Sequence, residues 1–270
     1  MTNVNYDNIA RRYDRRYQLH TYPGIRAILH KIGTSIPHLR VLELGCGTAE
    51  WLAELATAGC EVSGIDPSED MLRIAHTKVS ADLRQGFAET LPWPEASFDL
   101  VLCVNSLHHF SAPAAALREA FRVLRPGGKF LSVGLDPHEA GGHWYVYEFF
   151  PRSLAIDRER FASKSQRIAW LQTAGFQNID VSIADRLDLS ASFEEATRNG
   201  VLEQAFTSQL TVLSAAEYAA GLEQIRHCAE HPGFRLYTDL ALYATSGERS
   251  ASPRLQRSGA PTARPAATRG

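Results

Sequence analysis

The sequence predicts an α/β fold: a doubly wound, mostly parallel sheet of seven strands, with a lid or insertion region in its second half. Three observations carry that expectation. Short apolar runs alternate with amphipathic stretches from residue 40 to residue 135. A glycine turn, Gly45-Cys46-Gly47, follows the first of these runs. An acidic residue, Asp66, closes the second. Such alternation gives a parallel sheet covered by helices on both faces.

The elements follow in chain order. Residues 5–32 are rich in Tyr and Arg and read as helical pieces broken at Pro23-Gly24, so 1–38 is expected to be a helical cover. RVLEL (40–44) is a short buried strand, 49–58 a helix with Gly59 as its stop, and EVSGI (61–65) the next strand. A helix is expected from Ser68 to Val79, then a weak strand at 83–87 and a strong apolar one at 98–104. PAAALREAFRVL (113–124) is an amphipathic helix halted by Pro126-Gly127-Gly128, and KFLSVGL (129–135) closes a core of 39–135. Residues 136–164 read as irregular and aromatic, a candidate lid. A helix at 165–174 and strands at 177–184 and 235–245 complete the core, around a helical insertion at about 186–232. The tail 246–270 lacks apolar periodicity and is expected to be disordered.

Composition narrows the classes of function. With 270 residues, 44% hydrophobic and 21% charged, the chain can bury one large core. A net charge of −2 gives no reason to expect a nucleic-acid partner. The tail concentrates Arg249, Arg254, Arg257, Arg264 and Arg269 against Glu248, leaving the body more acidic than the whole. Cys46, Cys60, Cys103 and Cys228 form no CxxC pair, so neither a disulfide framework nor a metal site is expected. No run approaches about 18 apolar residues, so no membrane span is expected. The N-terminus lacks the apolar stretch of a secretion signal, and the cytoplasm is the expected compartment. The oligomeric state stays open.

The segment that carries chemistry is VLELGCGTA (41–49). Glycine lets backbone approach a ligand closely, although a tight strand-to-helix turn would explain the same residues. Asp66, at the end of GIDP, stands where a doubly wound fold places an acid against the ribose hydroxyls of an adenosine cofactor. Pro67 disfavours helix at Asp66, which makes Ser68 the better helix cap; capping by Asp66 itself is the alternative. A nicotinamide enzyme needs a third glycine where Glu50 stands, and a carboxylate there opposes a phosphate. A cofactor without phosphate fits better.

These motifs closely resemble the class I S-adenosylmethionine-dependent methyltransferases, Rossmann-like enzymes, in their ubiquinone/menaquinone-biosynthesis-like branch. The matching residues are YDNIARRYD, VLELGCGTA, GIDPSEDML, FAETLPWPEASFDLVLC, NSLHHF and REAFRVLRPGGKFL, spanning about 5–135, then LQTAGF. The resemblance implies S-adenosyl-L-methionine as cofactor and methyl transfer to a small-molecule acceptor. It implies that Glu43, Gly45 and Gly47 surround the methionine part, that Asp66 holds the ribose and that Met71 touches the adenine. Ala88 and Glu89 would border the adenine ring. Phe87 stands where relatives often have Asp, so stacking replaces a hydrogen bond there. Asn105 would lie beside the sulfonium, and Tyr6 and Tyr13 would belong to the N-terminal cover.

Methyl transfer is an in-line displacement that alignment and water exclusion accelerate. A base is needed only if the acceptor must lose a proton. His108 and His109 follow the fourth strand and are the candidates; a purely structural role in the turn is the alternative. His143, Trp144, Tyr145 and Tyr147 fall in the aromatic segment, which is either core or a lid over an apolar or aromatic acceptor. The run Asp157-Arg158-Glu159-Arg160 reads as a solvated helix face. Two other functions stay open: a non-catalytic cofactor-binding or regulatory relative, and a nicotinamide-dependent oxidoreductase.

Overall fold

In the computed structural model the described residues are 14–139 and 142–251. Helices α1 (Arg15–Leu19) and α2 (Pro23–Gly33) precede β1 (Arg40–Leu44), α3 (Glu50–Thr57), β2 (Glu61–Asp66), α4 (Glu69–Lys78) and β3 (Asp82–Gln85). β4 (Phe98–Val104), a single 3-10 turn at Leu107–His109, α5 (Pro113–Val123) and β5 (Leu124–Leu135) complete the first half. Then come β6 (His143–Trp144), α6 (Tyr145–Phe149), α7 (Pro151–Arg160), α8 (Lys164–Ala174) and β7 (Gln177–Ala191). α9 (Phe193–Arg198), α10 (Ser208–Thr211), α11 (Ala215–Ala229) and β8 (Leu236–Glu248) end the described chain.

One sheet holds these strands in the order β3-β2-β1-β4-β5-β8-β6, with β7 also on β8. β1 to β5 pair in parallel, and β8 runs antiparallel to β5 and β7. The expected doubly wound, mostly parallel sheet is therefore present. It has an eighth strand because the two-residue β6 adds to one end of the long β8.

Period-two alternation sorts the core onto the two faces. Val41, Leu100 and Leu102 pack with Ile25, Leu29 and Leu52 on one face. Leu42, Leu44, Val101 and Cys103 pack with Leu117, Phe130 and Leu171 on the other. Helix ends carry their expected signals. The Ser68 hydroxyl accepts from the Met71 amide, and Ser163 with Gln166 forms a capping box that opens α8.

The second half departs from expectation in three places. Residues 136–164 are not irregular: α6 and α7 form there, because Tyr145, Val146, Phe149 and Phe150 recur at helical spacing and are all buried. β7 continues to Ala191, its far end pairing with Leu236–Ala241 of β8, so the helical insertion opens at Phe193 rather than 186. β8 itself runs to Glu248, past the boundary expected at 246. The physical reason is Arg249. Its Nη1 shares its two N–H groups among the carbonyl oxygens of Phe121, Arg122 and Leu124, all at 2.8–2.9 Å, at the helix end where carbonyls lack intrahelical partners. Its guanidinium also lies 5.0 Å from the Phe121 ring centroid. The remainder of the tail, 252–270, lies outside the described residues. No helix among the described residues is long and apolar enough to cross a membrane.

Candidate active site

The turn after β1 is tightly constrained. Gly45, Gly47 and Ala49 all have positive φ. A Cβ on Gly45 would lie 2.6 Å from the Cβ of Ser106, so only glycine fits there. The amides of Gly45 and Cys46 both donate to the Ile65 carbonyl, at 2.8 and 3.1 Å. Ser106 fastens the other side, donating from Oγ to the Leu44 carbonyl at 2.7 Å.

Asp66 sits between this turn and α4. Its Oδ2 accepts from the Gly47 amide at 2.8 Å and its Oδ1 from the Ser68 amide at 2.9 Å. These amides take about two of a carboxylate's roughly four acceptor positions. Beyond the ribose contact that the resemblance implies, Asp66 braces the glycine turn. Ser68 is the cap of α4, as the sequence suggested.

Glu43 is 1% exposed, and its Oε2 has no hydrogen-bond partner. Burial, aided by the charge of Asp66, pushes its carboxyl well above the usual range. An isolated buried carboxylate is costly until a cation meets it. A ligand carrying ammonium and sulfonium charges supplies that cation, so this orphaned oxygen fits S-adenosylmethionine.

The N-terminal segment is anchored at the same turn by residues that sequence reasoning passed over. Thr48 Oγ1 donates to Asp14 Oδ1 at 2.6 Å, and Lys78 Nζ lies 2.7 Å from Asp14 Oδ2. Tyr6 and Tyr13 lie outside the described residues. Glu50 is not a bare charge opposing a phosphate: Arg26 pairs with it at 2.9 Å and Lys78 at 3.3 Å.

The residues that the resemblance puts beside the adenine differ among themselves. Met71 and Ala88 are buried, whereas Phe87 is 66% exposed, a ring available for stacking. Glu89 is committed elsewhere. Its Oε1 accepts from Ser111 Oγ at 2.9 Å and the Ala112 amide at 3.0 Å, at the start of α5. Burial opposes ionisation of Glu89, but those two donors hold its carboxyl below the usual value. Through Oε1 it holds the start of α5.

Beyond the turn, the carboxyl ends of β4 and β5 face a cavity of about 30 Å³ lined by Asn105, His108, Gly134, Arg160, Phe161 and Trp170, among others. Asn105 has a φ of +52°, a strained position that asparagine tolerates better than most residues. His108 stacks on Phe161 with ring centroids 3.9 Å apart and planes 13° apart, and on its other side meets His109 at 3.9 Å. Burial, then His109, Arg160 and Arg16, push His108 well below the ordinary histidine value. Burial, then Arg160 and Arg16, push His109 down to about 3. Both rings are neutral near pH 7 and poorly matched to a general base, whose ideal pKa lies near the working pH.

The four aromatic-segment candidates do not line this cavity. His143 is exposed and lies 3.2 Å from Glu148. Tyr145 is 5% exposed, its hydroxyl donating to the Val201 carbonyl at 2.6 Å. Tyr147 donates to Asp157 Oδ2 at 2.7 Å, and Trp144 packs edge-on against it. Tyr145 joins Phe150, Leu210 and Ile225 in the core of a helical lobe, and Trp144 and Tyr147, partly buried, pack against it. That packing favours the core alternative.

The run 157–160 also differs from expectation. Asp157 is fully buried and the Arg160 side chain is 10% exposed. They share a helix face with buried Ser153 at positions i, i+4 and i+7. That spacing was the available signal.

Comparison with known proteins agrees with this geometry. A methyltransferase-domain family model matches residues 42–132. The chain is 32% identical over 209 residues to a demethylmenaquinone methyltransferase of Lactiplantibacillus plantarum, covering 64% of this chain and 86% of the relative. It is 28% identical over 234 residues to the Lysinibacillus sphaericus enzyme of the same name, covering 82% and 95%. A solved structure from Anabaena variabilis, described as a putative methyltransferase from an antibiotic biosynthesis pathway, shares the fold. Its TM-score is 0.61 at 21% identity, over 82% of this chain and 96% of that one. S-adenosylmethionine, not a nicotinamide, is therefore the cofactor, and the chain belongs to the class I S-adenosylmethionine-dependent methyltransferases, in their quinone-biosynthesis-like branch.

Proposed function

We propose that this methyltransferase acts on an aromatic small molecule of quinol type, received in the cavity between β4, β5, α7 and α8. The observation that carries the reading is the parallel stack of Phe161 on His108, beside Asn105 at the edge of the glycine turn. A ring that replaces Phe161 finds a flat partner already in place. Leu107, Leu135 and Trp170 supply the apolar wall usual for small-molecule sites. The names of the relatives point to the same acceptor chemistry. About 30 Å³ holds a couple of waters rather than a ring, so entry displaces Phe161 or shifts α7.

When bound, S-adenosylmethionine supplies an electrophilic methyl group. Glu43 would hold its cationic end, Gly45 and Gly47 would admit its backbone-like tail, and Asp66 would take the ribose hydroxyls. Asn105 and neutral His108 orient the acceptor, and Leu107, Leu135 and Trp170 keep water out. Four free cysteines suit a reducing cytoplasm.

Gly134 gives the test. It lines the cavity, and an added Cβ would meet only Asn105 Oδ1, at 3.9 Å. With methyl-labelled S-adenosylmethionine and 1,4-dihydroxynaphthalene, mass spectrometry should detect a labelled ether or ring-methyl product. Gly134→Val should abolish that product and keep S-adenosylhomocysteine affinity. Equal product from the variant, or none from the unaltered protein, contradicts the reading.

A further inference from the structure

The cavity contains two arginines that are held to different degrees. Arg167 has two hydrogen bonds and a close ion pair: Nε donates to Thr245 Oγ1 at 3.1 Å, Nη1 donates to the Ala162 carbonyl at 2.8 Å, and Nη2, without a hydrogen bond, lies 3.2 Å from Asp136 Oδ2. Arg160 is held more loosely. Its side chain is nine-tenths buried, Nη2 makes a long 3.3 Å bond to Ser208 Oγ, and buried Nη1 has no hydrogen-bond partner. The nearest carboxylate oxygen, Asp157 Oδ1, is 3.7 Å from Nη1, beyond hydrogen-bond reach. The other oxygen of Asp157 is occupied by the Tyr147 hydroxyl.

We propose that Arg160 is the anion-binding residue of the acceptor cavity, so that the acceptor is held through a negatively charged oxygen on its ring, a carboxylate or a phenolate. The inference rests on this cavity being the acceptor site. A guanidinium is a planar fork built for two parallel bonds to an oxyanion, and a buried N–H without an acceptor costs free energy until one arrives. The position suits the task, because Arg160 lines the same cavity as Asn105, His108 and Phe161. Its guanidinium carbon lies 5.9 Å from the Phe161 ring centroid, so a ring stacked on His108 can place a substituent near it. The electrostatics agree. The positive field of Arg160 and Arg16 that weakens both histidines as bases also favours an ionised acceptor oxygen. Where that oxygen is a phenolate and itself takes the methyl group, the chain has no proton to remove; methylation at any other atom of the acceptor still releases one.

The test uses protein saturated with S-adenosylhomocysteine and two matched probes, 1-naphthoate and its uncharged isostere 1-naphthamide. Calorimetry should show naphthoate binding at least about tenfold tighter. Arg160→Gln should erase that preference while leaving naphthamide and S-adenosylhomocysteine affinities unchanged, and Arg160→Lys should restore part of it. A third probe, 1-naphthol, should tighten as pH rises through its ionisation, which separates phenolate from carboxylate recognition. Equal affinity for acid and amide, a preference that survives Arg160→Gln, or no naphthoate binding at millimolar concentration overturns the proposal. If Arg160→Gln fails to bind S-adenosylhomocysteine, the acid-over-amide ratio of the unaltered protein and of Arg160→Lys decides. Gly134→Val separates the two claims. Equal binding of both probes that this variant abolishes leaves the cavity reading standing and removes only the anion subsite. Binding that it does not touch removes the cavity reading.

Discussion

Around β1 and β2, Glu43, Gly45, Gly47 and Asp66, the groups expected to meet most of the cofactor, come from one short stretch, and the turn among them is held largely by backbone. On the cavity side, the groups come from residues as far apart as Asn105 and Tyr243 and are held by side chains. The Gly45 turn is pinned by two amides on one carbonyl and by the Asp66 carboxylate. Arg160, by contrast, depends on a helical lobe with its own core and keeps an unpaired N–H. The difference teaches that one side is preorganised and the other is completed by its ligand.

Asp66→Ala breaks the preorganised side with the largest expected effect. It removes the proposed ribose acceptor and leaves the Gly47 and Ser68 amides without this partner. Charge-assisted bonds are worth about 1.5–3 kcal/mol each. S-adenosylhomocysteine affinity should fall by at least about a hundredfold, and the melting temperature should fall with it. A melting curve unchanged from the unaltered protein would show that the turn does not need its brace.

Two smaller changes should touch stability and spare the cofactor. Trp144→Ala opens a hole in the lobe core, at about 2 kcal/mol for a half-buried ring. A stable, cofactor-binding but inactive variant would return this residue to a lid role. Cutting after Gly247, or Arg249→Ala, removes the clasp on the end of α5. The expected cost is about 2 kcal/mol, read as a melting point several degrees lower at constant S-adenosylhomocysteine affinity. No change would mean that the clasp is idle.

The smallest effect is expected at His109. A general base is worth about 10²–10⁴-fold. With its ring held at about 3, His109 is neutral from pH 6 to 8. Turnover should therefore show no inflection near the ordinary histidine value, and His109→Gln should cost less than about threefold. An inflection that vanishes in the variant would restore the base.

What was legible in the sequence follows the same division. Gly45, Gly47 and Asp66 are local: backbone conformation and strand ends are written in adjacent residues, so their placement could be read directly. The bonds of Glu89 to the start of α5 were not legible, because Ser111 and Ala112 are distant in sequence. Arg160 was misjudged because a charged run reads as solvated unless the burying lobe is known. The lobe itself depends on Leu210 and Ile225 meeting Tyr145 and Phe150, contacts that periodicity does not encode. Arg249 looked like part of a basic tail, since nothing local announces three carbonyls at the end of α5.

The claim on which the account turns is that buried Glu43 awaits the cationic end of the cofactor. Its raised carboxyl pKa means that the native state holds a proton more tightly than the unfolded chain. That contribution is full below the ordinary glutamate value and is lost as pH rises through the raised one. Glu43→Gln should therefore stabilise the ligand-free protein at neutral pH while removing the ligand's counter-charge. Calorimetric titration of S-adenosylmethionine into the unaltered protein and Glu43→Gln, with melting curves on both, is the direct measurement. The expected result is an affinity lower by at least about tenfold in a variant that melts no lower than its parent. Equal affinity in the two proteins would contradict the account.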